Sequence, residues 1–268
     1  MEAVQITSAT NPNIRELIQL KEKAAKRRER GLFVIEGRKE LRFAVEAGYI
    51  VESLFFCRKL IDDGELAHFK SNKLFEVESD LYTKIAYRGK SEGVVAIAKV
   101  KNHPLSSIKL SSNPLLLILE GVEKPGNIGA AVRSADALGI DAIVLCDLQT
   151  DLYNPNVVRS SVGGIFTTQI ALSTSQEAFS WLRSNKINIV SAQLQNSIPY
   201  YNVDMSGALA LLFGNEKRGL STFWRERADE RVIIPMRGKL DSLNLSVSVA
   251  ILCHQAIRER VEKSNSCV

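Results

Sequence analysis

Three polar stretches in the second half of the chain contain the residue types best suited to chemistry. They are Pro125–Arg133, Phe213–Gly219 and Ile234–Asn244. Each is rich in glycine or polar residues, and each follows a short apolar run that is typical of a buried strand. Loops that follow the strands of an open α/β sheet meet at one edge of the sheet and form its binding site. We therefore interpret the three stretches as binding loops.

Two common nucleotide-binding motifs fit these loops poorly. Gly126-Asn127-Ile128-Gly129 lies between a predicted strand and a predicted helix, and Asp147 closes the next strand. The spacing nonetheless lacks the first glycine of the dinucleotide-binding pattern G-x-G-x-x-G. The stretch that contains Lys217 does not match G-x-x-x-x-G-K-[ST], so a phosphate-binding P-loop is also disfavoured.

The composition predicts a globular protein with reduced thiols. The chain has 268 residues and 45% apolar content, which is enough for the cores of two domains. Its 4 cysteines and 3 histidines are dispersed, and the cysteines show no C-x-x-C spacing. We therefore expect neither a metal site nor a disulfide framework, and we expect a cytoplasmic location. The apolar runs, such as Leu115 to Leu119, are too short to cross a membrane, and no membrane partner is expected.

Periodicity divides the chain into two parts. Residues 1–100 alternate short apolar runs with helical segments, including a helix from Asn11-Pro12 to about Arg30, and this predicts a small α/β domain. Residues 101–113, with four serines, are interpreted as a linker. Residues 114–268 begin with a βαβ pattern and end with a helix from about Ser242 to Val261, which predicts a second α/β domain.

The basic excess lies in the first half. The net charge is +5, and Lys and Arg outnumber Asp and Glu by 18 to 15 in residues 1–100 but are balanced at 15 each in residues 114–268. The excess concentrates in the run Lys21–Arg30, where Lys23, Lys26, Arg27 and Arg28 are candidate contacts to an RNA backbone. A solvated helix face is the alternative interpretation of this run.

Taken together, the three loops resemble the signature motifs of the SpoU (TrmH) family of RNA 2′-O-ribose methyltransferases, within the SPOUT superfamily. The pattern N-x-G-x-x-x-R falls on Asn127, Gly129 and Arg133; G-x-E-x-x-G falls on Gly214, Glu216 and Gly219; and I-P-M followed by S-L-N-x-S falls on Ile234 to Met236 and Ser242 to Ser246. The resemblance covers residues 114–268. More loosely, residues 1–100 resemble an L30e-like substrate-binding domain, most clearly at Phe33–Gly37.

The resemblance implies S-adenosylmethionine as the methyl donor. It also implies that the donor is held by a parallel-sheet domain with a deep trefoil knot, in a homodimer. By this resemblance the expected cofactor contacts are Gly214, Ile234, Met236 and Leu243. Glycines allow close approach of a ligand to the backbone, which suits such a site.

Catalytic roles also follow from the resemblance. Arg133 is the residue that the family assigns to the acceptor ribose. Because a guanidinium is essentially always protonated, we expect it to bind the adjacent phosphate and stabilise a developing alkoxide; action as a base after an unusual deprotonation is the alternative. The other candidate catalytic residues are Asn127, Glu216, Ser242 and Asn244. Each has a structural alternative, because amides and hydroxyls cap helices and charged groups lie on surfaces.

The expected function is therefore S-adenosylmethionine-dependent 2′-O-ribose methylation of RNA, and ribosomal RNA is favoured as the substrate. Two alternatives stay open at this point. One is methylation of transfer RNA, and the other is an RNA-binding or resistance protein that keeps the fold without turnover.

Overall fold

The computed structural model describes residues 3–86 and 92–266. The chain forms two compact units, of which the first comprises residues 1–102 and 151–167, and the second comprises residues 103–150 and 168–268. The helices and strands are, in chain order, β1 (Val4–Ile6), α1 (Pro12–Glu22), α2 (Ala24–Arg30), β2 (Leu32–Glu36), α3 (Arg38–Glu46), β3 (Val51–Phe56), α4 (Asp63–Leu66), β4 (Lys73–Val77), α5 (Ser79–Ile85), β5 (Val94–Lys99), β6 (Leu115–Glu120), α6 (Pro125–Ala137), β7 (Ala142–Cys146), α7 (Pro155–Ser160), α8 (Gly164–Thr167), β8 (Ile170–Ser173), α9 (Ser175–Ser184), β9 (Asn188–Ala192), β10 (Ile198–Pro199), β11 (Leu209–Phe213), α10 (Thr222–Arg227), β12 (Glu230–Ile233) and α11 (Leu245–Ser266).

The first unit is built on a five-stranded mixed sheet in the order β1-β4-β3-β5-β2. The Asn11 side chain accepts a hydrogen bond of 2.9 Å from the Asn13 amide and so caps α1. The single helix predicted to reach Arg30 is interrupted at Lys23, whose backbone is extended. α2 then ends at Gly31, which adopts the left-handed conformation (φ 62°) that favours glycine at a helix C-terminus.

The segment 151–167 packs with the first unit, although it lies far along the chain. Tyr153 and Phe166 join Phe33 and Tyr49 in an aromatic cluster, with ring centroids 4.2 Å apart for Phe33 and Tyr153. The two tyrosine hydroxyls lie 3.1 Å apart. Burying large aromatic surfaces is strongly favourable, so this cluster explains why the compact units differ from a contiguous division at residues 101–113.

The stretch predicted as a linker lies on the second unit. Leu105, Ile108 and Leu110 pack against the core of that unit, and the carbonyl of His103 accepts a hydrogen bond of 2.7 Å from the Leu172 amide. Three apolar side chains spaced along an otherwise polar stretch thus fix its path.

The second unit contains a seven-stranded sheet in the order β10-β12-β9-β11-β6-β7-β8. All of its pairings are parallel. Its central strands are buried on both faces, which is why they appear in the sequence as continuous apolar runs. The expected α/β class with a parallel-sheet domain is confirmed, and the knot stays a prediction.

Helix α11 is anchored at both ends of its length. The predicted apolar stripe is buried through Leu245, Val249, Leu252 and Ala256. Near the C-terminus, Arg260 donates hydrogen bonds to the carbonyls of Asn113, Pro114 and Gly207. Burial lowers the pKa of this guanidinium. Among the described residues, none of the helices combines the length and the hydropathy that crossing a membrane requires.

Candidate functional site

A cleft of about 760 Å³ lies at the carboxyl edge of the second sheet. It is lined by the loops after β6, β9, β11 and β12 and by the start of α11. Eight of the nine residues predicted for catalysis and cofactor binding line this cleft: Asn127, Gly214, Glu216, Ile234, Met236, Ser242, Leu243 and Asn244. A parallel sheet brings these distant loops together because the carboxyl ends of its strands share one edge.

The loop after β11 is a tight, internally bonded turn. Asn215 and Gly219 exchange backbone hydrogen bonds of 3.1 and 2.8 Å. The Asn215 side chain accepts from the Lys217 amide (2.8 Å) and donates to the carbonyl of Gly121 (2.8 Å). At Gly214 a Cβ atom would lie 2.3 Å from the carbonyl carbon of Gly219, so only glycine fits there. Sequence reasoning missed Asn215, although asparagine beside glycine is a turn signal.

A hydrogen-bonded chain joins three of the predicted catalytic residues. Asn127 Nδ2 donates to Glu216 Oε1 at 2.5 Å, and Asn244 Nδ2 donates to Asn127 Oδ1 at 3.2 Å. Asn244 also caps α11, because its Oδ1 accepts from the Ser246 amide at 2.9 Å. Ser242 is exposed and donates to Asp241. The cap of α6 is Lys124 and not Asn127, so the amide of Asn127 is committed to Glu216.

Arg133 is not brought together with the other predicted residues within one chain. It is exposed on α6 and does not line the cleft. It lies six residues after Asn127, which turns it by about 240° around the helix axis. Within residues 3–86 and 92–266, its guanidinium has neither a hydrogen-bond partner nor an ion-pair partner. Its charge is therefore available to another molecule.

The rim of the cleft is basic, a feature that segment counting missed because the second half is neutral as a whole. Five basic residues line the cleft against three acidic ones: Lys124, Lys217, Arg218, Arg225 and Arg231 against Glu216, Glu226 and Asp241. The Lys217 side chain is 75% exposed. Clustered cations beside a cleft raise the local concentration of anionic ligands.

One prediction for the basic run is wrong. Arg27 is only 2% exposed; its Nε donates to Asp151 Oδ2 at 2.5 Å and its Nη1 donates to the carbonyl of Leu20 at 2.6 Å. A buried, paired guanidinium cannot contact RNA phosphates. By contrast, Lys23 and Arg28 are exposed, and Lys26 is half-buried and pairs with Glu29.

The buried thiols of the second unit are not poised for nucleophilic chemistry. Burial raises the pKa of Cys146 to about 12, and burial likewise raises the pKa of Cys253 to about 12. A thiol is a nucleophile only as the thiolate. Over the described part of the chain, no group of three or more His, Cys, Asp or Glu side chains is placed to hold a metal ion.

Comparison with known proteins identifies the two parts of the chain. The model of the SpoU rRNA methylase family matches residues 114–254. The model of the MRM3-like substrate-binding domain matches residues 11–96. The site described above lies within the first of these matches.

Relatives match over nearly the whole chain. The 23S rRNA (uridine(2479)-2′-O)-methyltransferase of Streptomyces viridochromogenes is 29% identical over 252 residues, which are 88% of this chain and 86% of the relative. The structure of an AdoMet-bound rRNA methyltransferase from Sinorhizobium meliloti is 28% identical with a TM-score of 0.87, covering 96% of this chain and 98% of that one. The structure of an RNA 2′-O ribose methyltransferase is 32% identical with a TM-score of 0.83, covering 96% and 100%. The chain therefore belongs to the SpoU rRNA methylase family.

Proposed function

We propose that the protein transfers a methyl group from S-adenosylmethionine to a ribose 2′-oxygen of ribosomal RNA. The observation that carries this proposal is the cleft at the carboxyl edge of the second sheet, where the hydrogen-bonded chain Glu216–Asn127–Asn244 lies beside a glycine-bearing loop. The relatives that modify 23S rRNA and the AdoMet-bound structure support the substrate and the donor.

The residues of the cleft fit the donor. A volume of about 760 Å³ is in the range of sites for ligands of this size, roughly 300–1,000 Å³. Leu243 is 41% exposed there, and Ile234 and Met236 add apolar surface beside backbone groups. Gly214, Ile234, Met236 and Leu243 would hold the donor. When bound, S-adenosylmethionine supplies an electrophilic methyl group on a sulfonium.

The other residues act on the acceptor. Arg133, permanently charged and unpaired among the described residues, binds the phosphate beside the target ribose and stabilises negative charge on the 2′-oxygen. Glu216 fixes the Asn127 amide through the 2.5 Å hydrogen bond, and Asn244 fixes the opposite end of that amide. Ser242 offers an exposed hydroxyl at the same place. These groups orient the acceptor, and holding the reacting atoms in line lowers the barrier to methyl transfer.

RNA binding is divided between the two units. The basic rim of the cleft binds the strand that carries the target nucleotide. In the first unit, which matches a substrate-binding domain, Lys23, Lys26 and Arg28 provide further phosphate contacts. Arg27 instead holds the first unit together. The domain boundaries expected at residues 100 and 114 therefore separate the two RNA-binding roles. The segment 151–167 packs in the first unit but takes no part in that division.

The active form is a homodimer that pairs through α6 and α11, with the knot beside the pairing helices. A groove of about 580 Å³ runs between these helices and is lined by Ser134, Leu138, Tyr200, Ile251 and His254. Ser134 directly follows Arg133, so pairing along this groove brings Arg133 of one chain close to the second chain. Arg133, which does not line the cleft of its own chain, would thereby contribute to a site shared by the two chains. A substrate in the ribosome makes the cytoplasm the expected location.

Transfer of tritium from labelled donor to separated RNAs tests the proposal. Label in 23S rRNA and not in transfer RNA supports it. Label in transfer RNA alone would indicate that the protein methylates transfer RNA instead. Binding of RNA without any methyl transfer would indicate a protein that keeps the fold without turnover.

A further inference from the structure

Gln193 occupies a place in the cleft that none of the three motif loops supplies. It follows β9 directly, and its backbone amide donates to the carbonyl of Val232 at 3.0 Å. Because β9 pairs with both β11 and β12, Gln193 lies between the loop that begins at Gly214 and the loop that begins at Ile234. All three residues line the cleft.

The side-chain oxygen of Gln193 lacks a partner. Its Nε2 donates to the carbonyl of Gln195 at 3.0 Å, and this bond fixes the orientation of the amide, because a flipped amide would set oxygen against oxygen. Oε1 is shielded from solvent and accepts no hydrogen bond from any described residue. Buried acceptors without a donor are rare and unfavourable in native proteins. A hydrogen-bond donor on a bound molecule would satisfy Gln193 Oε1.

The sheet order indicates which part of the methyl donor reaches Gln193. β11 lies between β9 and β6, so the start of α6, which follows β6 and carries Asn127, is two strands away from Gln193, roughly 10 Å at the usual strand spacing. The Asn127–Glu216 pair marks the reacting end of the cleft. A donor molecule that spans the cleft therefore places its adenosyl half near β9, where Leu194 is 57% exposed.

We propose that Gln193 determines specificity for the adenosyl half of the methyl donor, by accepting through Oε1 a hydrogen bond from the adenine amino group or a ribose hydroxyl. The inference rests on the proposed function, since it takes the cleft to be the donor site. It adds a residue outside the three motif loops, and its role is recognition of the nucleoside and not chemistry at the methyl group.

Calorimetric binding of S-adenosylhomocysteine and of adenosine to the full chain tests the proposal. Gln193→Leu removes the oxygen and nearly keeps the volume, and it is expected to weaken binding of both molecules by about tenfold, the usual loss for one hydrogen bond. Gln176→Leu is the matched control, because Gln176 is exposed on α9 outside the cleft, and its affinity should equal that of the wild type. Oε1 has no partner within the described residues, and the bond lost from Nε2 goes to the carbonyl of Gln195, an exposed residue at which water can replace it. The melting temperature of Gln193→Leu should therefore fall only slightly.

Adenosine analogues identify which group of the ligand donates the hydrogen bond to Gln193 Oε1. Purine riboside lacks the amino group, and 2′-deoxyadenosine and 3′-deoxyadenosine each lack one hydroxyl. One of the three is expected to bind the wild type and Gln193→Leu equally, and the other two should keep the tenfold difference.

Equal binding of S-adenosylhomocysteine by the wild type and Gln193→Leu would overturn the inference while leaving the proposed function intact. A tenfold difference that persists with all three analogues, or a melting temperature lowered by several degrees, would overturn it as well, because Gln193 would then act by supporting its loop. A wild-type protein that binds none of the adenosyl ligands would instead contradict the proposed function.

Discussion

The Asn127 side chain donates a hydrogen bond of 2.5 Å to Glu216, although the two residues lie 89 positions apart in the chain. This contact joins the first turn of α6 to the loop after β11, and Asn244 extends it to the start of α11. Three segments of the parallel-sheet unit therefore share one polar centre.

We expect Asn127→Asp to abolish this centre without unfolding the protein. A carboxylate facing Glu216 replaces a hydrogen bond with repulsion between like charges, and turnover should fall by about a hundredfold, the scale seen when one stabilising group is removed. Initial rates with RNA and labelled donor measure the loss. Glu226→Gln, which changes another carboxylate of the cleft, is the control, and an Asn127→Asp rate equal to that of the control would contradict the role of the pair.

Arg133→Ala should lower turnover by about a hundredfold or more while leaving donor affinity nearly intact. The reason is that Arg133 does not line the donor cleft of its own chain. Single-turnover rates and calorimetric donor binding separate the two effects. A variant with the rate of the wild type, or one that loses donor affinity in proportion to rate, is incompatible with an acceptor-side role.

Ile251→Asp is expected to convert a dimer of about twice 29.7 kDa into monomers. The substitution buries a carboxylate in the apolar groove between α6 and α11. Sedimentation at micromolar protein gives the mass. Val261→Asp is the matched control because Val261 lies on the same helix, is 54% exposed and is outside the groove. A fully active monomer of the wild type would rule out the proposed pairing.

Neutralising Lys23, Lys26 and Arg28 together should weaken RNA binding and flatten its salt dependence by up to about one unit of log–log slope for each lost phosphate contact. RNA affinity across a salt series gives both values. The full chain is required, because a fragment that starts near residue 113 would leave Tyr153 and Phe166 without their partners in the first unit. Identical salt lines for the wild type and the triple variant would show that the run is only a solvated face.

Arg27→Met, unlike the substitutions of Lys23, Lys26 and Arg28, is expected to change stability and not RNA binding. It leaves Asp151, whose side chain is only 13% exposed, without its cation, so we expect the free energy of unfolding to fall by about 3 kcal/mol with little change in the salt slope of RNA binding. Denaturant unfolding provides the comparison.

The buried thiols predict a loss of stability at alkaline pH. The pKa values of Cys146 and Cys253 are about 12 in the folded chain against an ordinary value of 9.0. The unfolded chain therefore releases these protons first, and the contribution is complete below pH 9 and is lost as the pH rises toward 12. Cys253→Ala should show a shallower decline in free energy of unfolding between pH 9 and pH 11 than the wild type. Equal slopes would contradict the raised pKa of Cys253.

Much of the site was predictable because parallel strands impose a simple rule. Loops that follow apolar strands meet at one edge, so the stretches that contain Gly214, Glu216 and Met236 could be assigned to one edge from their positions, whereas the roles of these residues came from the family resemblance. Gln193 follows the observed strand β9 at the same edge, and the polar residues after that apolar segment were the signal that sequence reasoning missed.

Other features depended on long-range packing that local patterns do not encode. Arg27 looked like its exposed neighbours in a basic run, and only its contact with Asp151, 124 positions away, makes it a structural residue. The same holds for Tyr153 and Phe166, whose partners Phe33 and Tyr49 precede them by about a hundred residues. Local sequence patterns were enough to predict the cleft and its motifs. They did not predict which segments of the chain pack together in the first unit.

Transfer of the methyl group to the ribose is measured most directly with donor that carries a trideuterated methyl group, followed by mass spectrometry of nucleosides from the RNA. We expect a single 2′-O-trideuteromethyl nucleoside from 23S rRNA treated with the wild type, and a rate of its formation about a hundredfold lower with Arg133→Ala. Label on a base, label that persists in Arg133→Ala, or no label from a wild type that binds the donor would contradict this expectation.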